Sequence, residues 1–155
     1  MKFTRSKIYR IFSILAVMAV MGIIFYLSAQ NGEESTQTSG FVGELLALIF
    51  KGGVAQDVLR TFAHFSEYAV LGFLMYNVLY SFNVKFAPIV SVALSWAYAW
   101  SDEIHQLFVP QRAFQLFDLA VDLGGIILGT SIIFILFRVI NKITLRKQQK
   151  EQLYD

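Results

Sequence analysis

The block Ser101-Asp102-Glu103-Ile104-His105-Gln106-Leu107-Phe108-Val109-Pro110-Gln111-Arg112 gathers two carboxylates, a histidine, a carboxamide and a guanidinium in twelve residues. It sits between two segments apolar enough to cross a membrane, where a charge is costly and usually functional. Two further stripes carry the same kinds of group. Arg60, His64, Glu67 and Leu71 fall at i, i+4, i+7 and i+11, one face of a helix. Asp118, Asp122, Gly125 and Gly129 repeat that spacing, and Asp102, His105 and Gln106 share a face with Glu103 at its flank. Three chemistries suit these residues. Glu67 or Asp102 with His64 or His105 could perform general acid–base work. Arg60 and Arg112 could clamp a phosphate or carboxylate, or simply neutralise the acids. His64-x-x-Glu67 and Asp102-x-x-His105 have the i, i+3 spacing of metal half-sites, although hydrogen-bonded His–carboxylate pairs explain that spacing more simply.

The elements that must hold these residues follow from composition. Of 155 residues, 56% are hydrophobic and 15% charged, against about 25% charged in an ordinary soluble domain. The mean hydropathy is +0.57. These values point to an integral membrane protein forming one all-α domain over residues 1–155. Four segments reach or approach the roughly 20 residues a spanning helix needs: Ile8–Ser28, Phe62–Tyr80, Phe86–Trp100 and Leu119–Val139. The first reads as an uncleaved signal anchor, since Leu27-Ser28-Ala29-Gln30 is a poor cleavage site. The third is short, so its helix is expected to continue to about Val109 before Pro110. Between spans one and two, Phe41–Phe50 is apolar but too short to cross, which predicts an interfacial or re-entrant outer helix. The fold class is thus a four-transmembrane-helix bundle with that short helix added.

Orientation follows from the basic residues. Ten of the 13 Lys and Arg side chains lie at or before the start of span one, between spans two and three, or at or beyond the end of span four. Lys51, Arg60 and Arg112 are the exceptions, whereas nine of the 11 acids lie between Glu33 and Asp122. Both termini are therefore expected in the cytoplasm of a plasma-membrane protein, with a basic tail at 138–155. The basic residues are explained by topology and attraction to anionic lipid, which removes the case for nucleic acid. All three polar stripes then fall at the outer ends of their helices and form one cluster. Its two arginines face five acids (Glu67, Asp102, Glu103, Asp118 and Asp122), a surplus of three negative charges with neutral histidines. Gly125 and Gly129 form a small-xxx-small pattern suited to close helix contact, so the acids on the same face point inward. Trp96, Tyr98 and Trp100 read as an interfacial aromatic belt. With no cysteine, no P-loop, no GxGxxG and no Gly-x-Ser-x-Gly elbow, no cofactor motif is present. A divalent metal on His64, Glu67, Asp102 and His105 is an unfavoured alternative.

Taken together, Leu27-Ser28-Ala29-Gln30, then Arg60…His64-Phe65-x-Glu67-Tyr68…Leu71-Gly72, then Tyr98-Ala99-x-Ser101-Asp102-Glu103-x-His105-Gln106-x-Phe108-Val109-Pro110-x-Arg112, then Asp118…Asp122…Gly125…Gly129 resemble the VanZ-like family over about residues 10–137. The chain departs from that pattern at Gln111, where the family usually has glycine. The resemblance implies a role in the bacterial cell envelope and an association with glycopeptide resistance, teicoplanin in particular. It implies a phenotype rather than a reaction. Three readings follow. In the first, the cluster binds an amphiphile: membrane lipid, a lipid-linked cell-wall precursor or a glycopeptide, with Arg60, Glu103, Gln106, Arg112, Asp118 and Asp122 lining the site. In the second, a hydrolase or transferase uses Glu67, Asp102, His64 and His105. In the third, the charges only lock the helices.

Overall fold

In the computed structural model, residues 6–30, 56–110, 112 and 114–152 are described. They form four helices: α1 (Lys7–Ser28), α2 (Gln56–Ser81), α3 (Ala87–Gln106) and α4 (Leu116–Glu151). The described residues contain no strand, so the all-α expectation holds. The expected Phe41–Phe50 helix lies outside the described residues.

Local chemistry sets several boundaries. The Ser6 side chain accepts the Tyr9 N–H at 3.2 Å and caps α1. α2 ends in a Schellman turn: Asn83 is left-handed (φ 56°), Asn83 N–H donates to Tyr80 O and Val84 N–H to Leu79 O, each at 3.0 Å. Pro88 then stands in the first turn of α3, where its missing N–H costs nothing. α3 stops at Gln106, short of the expected Val109. The coil continues as tighter i→i−3 bonds, from Leu107 to Ile104, Phe108 to His105 and Val109 to Gln106. α4 runs 36 residues, about 54 Å at ~1.5 Å per residue. The basic segment after Val139 therefore continues the helix up to Glu151.

α2 packs against all three other helices, most extensively against α4. Glycine makes that approach possible. A Cβ at Gly125 would strike the Phe65 carbonyl, one at Gly129 the Ala69 carbonyl, and one at Gly72 would lie 2.6 Å from the Ile126 carbonyl oxygen. The same crossing holds buried hydroxyls. Ser91 of α3 and Thr130 of α4 both donate to the Gly72 carbonyl, at 3.1 and 3.3 Å, joining three helices at one point. The apolar core around this crossing comprises Val17, Ile24, Tyr68, Leu71, Ala99, Leu119 and Ile126.

α1 lies against α2 and more lightly against α3. Tyr9 donates to Asn77 Oδ1 at 2.5 Å, Asn77 donates to Ser13 at 3.1 Å, and Tyr98 donates to the Met21 carbonyl at 2.6 Å. Tyr98 is thus an interhelical tie and not a belt residue, whereas Trp96 and Trp100 are part-exposed and meet edge to face at 6.0 Å. The outward faces are apolar along most of their length, with Ile8, Phe12, Leu15, Met18 and Tyr26 on α1 and Ile127, Ile132, Ile135 and Val139 on α4 all exposed. Such continuous apolar surface suits lipid. Among the described residues, α1 and α4 are long and apolar enough to cross a membrane. α2 and α3 fall short of that criterion because their polar residues, turned toward the bundle interior, dilute their apolar runs.

Candidate functional site

The site forms where the N-terminal ends of α2 and α4 meet the C-terminal end of α3. Antiparallel packing brings these ends together, and the stripes at i, i+4 and i+7 face inward. His64, Asp102, Glu103, Gln106, Asp118 and Asp122 are all buried, with Glu103, Gln106 and Asp122 at 1% exposure or less. Arg60 and Arg112 are half-buried at the edge, as is Glu67.

Each contact crosses between elements. Arg60 of α2 donates to Asp118 of α4 at 2.7 Å. One turn further in, His64 Nδ1 and Asp122 Oδ1 are 3.3 Å apart. Glu67 has His64, Asp102, Asp122 and Arg112 as its electrostatic neighbours. Glu103 Oε1 accepts the Gln115 N–H at 2.5 Å. Gln115 caps α4, so this carboxylate sits on the positive end of that helix. Arg112 Nε donates to the Gln30 carbonyl at 3.3 Å, tying the α3–α4 connection to the end of α1. Burial and the neighbouring Arg60 pull the Arg112 guanidinium below its ordinary pKa; arginine starts so high that it stays charged.

Hydrogen bonding inside the cluster is incomplete. Arg60 Nε, Tyr68 Oη, Asp102 Oδ1, Glu103 Oε2 and Gln106 Oε1 are buried without a partner, as are Ser28 Oγ and His105 Nδ1 on the α1 side. Native interiors leave few polar atoms this way, and their concentration at one end of the bundle sets this cluster apart from the rest of the core. At the same end of the bundle, on the outside of α2 and α4, runs an apolar groove of about 460 Å³ lined by Val58, Phe62, Phe65, Val121 and Gly124. Arg60 lies two residues from Val58 and Phe62, and Asp118 three from Val121, on the inward side of the same helices.

Nine of the ten expected site residues come together. His105 is the exception. Its ring packs on Phe25 of α1, with centroids 4.4 Å apart. Three residues on a helix advance by roughly 300°, which turns His105 about 60° from Asp102 and onto the α1 side. The expected set His64, Glu67, Asp102 and His105 is thus split, and among the described residues no three His, Asp or Glu side chains are placed to hold a metal ion. Tyr68 is the principal addition. It is fully buried, and its hydroxyl faces Asp102 without closing a hydrogen bond. Its place four residues after His64, beside Glu67, was the available signal.

These features define a class: a small all-helical protein with helices of membrane-crossing character and a buried, acid-rich cluster at one end of its bundle. The chain belongs to the VanZ/LLP1 family, whose profile matches residues 12–138. Neither the curated proteins nor the solved structures contain a match.

Proposed function

We propose that this protein is a single-domain, four-spanning protein of the bacterial plasma membrane whose outer-facing cluster binds an amphiphilic envelope molecule. Both termini lie in the cytoplasm, a core of residues 10–137 forms the domain, and the basic tail at 138–155 follows it. The ligand classes that suit the site are membrane lipid, a lipid-linked cell-wall precursor and a glycopeptide with an acyl tail. Such binding would account for the association with glycopeptide resistance, teicoplanin in particular, that the resemblance to the VanZ-like family implies.

One observation carries this reading: buried polar atoms without partners and an outward apolar groove occur at the same end of the bundle. A molecule with a polar head and an acyl chain satisfies both surfaces at once. α2 and α3 then cross the membrane despite their polar residues because those residues face the bundle and not the lipid. The positive-inside distribution supports the orientation.

Binding of a pyrene-labelled acyl amphiphile to the purified protein tests the proposal. Gly124→Trp fills the exposed groove, and Tyr68→Phe alters the polar end. Each should weaken binding. Unchanged affinity in both refutes it. The 3.3 Å His64–Asp122 pair, with Glu67 as an electrostatic neighbour of both, favours a second reading as a hydrolase or transferase. Glu67→Gln and His64→Asn keep shape but remove proton transfer. They abolish turnover in an enzyme and only weaken binding in a binder.

A further inference from the structure

The unpartnered atoms have a pattern of their own. On α3, Asp102 uses Oδ2 to accept from Gln106 Nε2 at 3.4 Å, and Glu103 uses Oε1 to accept from Gln115 N–H at 2.5 Å. Each of these three residues is left with one buried oxygen that has no partner: Asp102 Oδ1, Glu103 Oε2 and Gln106 Oε1. The side chains are at least 96% buried. Positions i, i+1 and i+4 lie within a sector of roughly 100° on the helix. This wall therefore presents acceptors, two of them from carboxylates, with the Tyr68 hydroxyl facing Asp102 as a neighbouring donor.

The hydrogen bonds of the protein's own guanidinium groups are directed elsewhere. Arg60 donates to Asp118, and Arg112 donates to the Gln30 carbonyl. Around Glu103 stand Asp118 and Asp122 with His64, and Arg112 is an electrostatic neighbour of both Asp102 and Glu103 without bonding either; the acids still outnumber these cations. A phosphate or carboxylate would be repelled by this wall. A neutral polyol would supply donors but leave the charge surplus. A quaternary ammonium would supply charge but no N–H.

We infer that the α3 wall formed by Asp102, Glu103 and Gln106 recognises a primary ammonium group on the ligand. This rests on the reading of the cluster as an amphiphile site and specifies its polar head. Three N–H donors and one positive charge match the three open oxygens and the surplus charge, and charge-assisted hydrogen bonds are the strong kind. The same ammonium could come from an aminolipid headgroup or from a free amine.

Titration of the full-length protein in detergent, read by the fluorescence of Trp96 and Trp100 on α3, tests the assignment. The probes are dihexanoyl phosphatidylethanolamine, phosphatidylcholine and phosphatidylglycerol, and ethylammonium chloride. Phosphatidylethanolamine should bind at least about tenfold more tightly than the other two lipids, the scale of one hydrogen bond to a charged group. Asp102→Asn and Gln106→Leu should each remove most of that preference. Ethylammonium binding as tightly as phosphatidylethanolamine identifies a free-amine site, and much weaker binding identifies a lipid headgroup site; both support the inference. Equal affinity for the three lipids overturns it while leaving amphiphile binding standing. No binding of any lipid overturns both. A wild-type preference unchanged in both variants overturns the assignment to this wall.

Discussion

A glycine-to-alanine series separates close helix packing from simple helix propensity. Alanine is favoured over glycine in a helix interior by about 1 kcal/mol, so each substitution starts with the same small gain. The surroundings then decide the sign. Gly22 has nothing within 4 Å of an added Cβ, and Gly124 meets only the Phe65 ring, Cε2 at 3.5 Å and Cδ2 at 3.9 Å, ordinary contacts. Gly22→Ala and Gly124→Ala should therefore be neutral or stabilising by up to about 1 kcal/mol. At Gly72 the Ile126 carbonyl oxygen would stand 2.6 Å away, whereas close carbon–oxygen contacts begin at about 3.3 Å. The α2–α4 spacing must open by roughly 0.7 Å, and the obstacle is backbone, which cannot rotate aside. Gly125 and Gly129 meet the Phe65 and Ala69 carbonyls still more closely. Overpacking of this kind costs about 1–3 kcal/mol, so Gly72→Ala, Gly125→Ala and Gly129→Ala should each lose stability despite the propensity gain. Thermal unfolding of the five purified variants in one detergent measures the split. A uniform shift across all five would refute the packing argument, as would Gly129→Ala unfolding at or above the wild-type temperature.

Other consequences follow from the cluster. Arg60→Gln leaves Asp118 buried without its 2.7 Å partner; a loss of about 1–3 kcal/mol is expected, moderated by the exposure of Arg60. Arg60→Leu/Asp118→Leu should recover most of it in chemical unfolding. Glu103→Gln keeps an acceptor for the Gln115 N–H while removing one buried negative charge, and should match or exceed wild-type stability at neutral pH. Glu103→Ala loses that contact and should unfold about 1–2 kcal/mol more easily. Since His105 packs on Phe25, His105→Leu should preserve amphiphile binding, whereas His64→Leu, facing Asp122, should weaken it; the reverse order in a binding titration would contradict the placement.

Helical periodicity made much of the polar cluster legible from sequence. Arg60, His64 and Glu67 recur at helical spacing, as do Asp118 and Asp122, so knowing the period was enough to predict a shared face. Gly125 and Gly129 fixed which face turned inward. The spacing of Asp102 and His105 was less informative. Residues three apart are neighbours on a helix yet differ by about 60° in direction, and whether they serve one partner depends on which helix lies opposite. Here α2 and α4 take Asp102 while α1 takes His105. Tyr98 was hidden for a related reason: an aromatic near a membrane boundary suits a belt, and only the position of the Met21 carbonyl shows that its hydroxyl is committed inward. The end of α3 depended on the cap, where tight i→i−3 bonds carry the chain on from Gln106 before Pro110 is reached.

The unbroken course of α4 has a mechanical consequence. Asp118 and Asp122 stand in its first two turns and Lys147 and Lys150 in its last, on one 36-residue rod. Glu103 holds the first end through Gln115, and Gly125 and Gly129 provide the pivot against α2. About 35 Å of helix beyond that pivot acts as the long arm of a lever: a tilt of about 5° sweeps the far end through roughly 3 Å. A ligand that loosens or tightens the acidic end would thereby move a row of cations at the opposite end, with no second domain required.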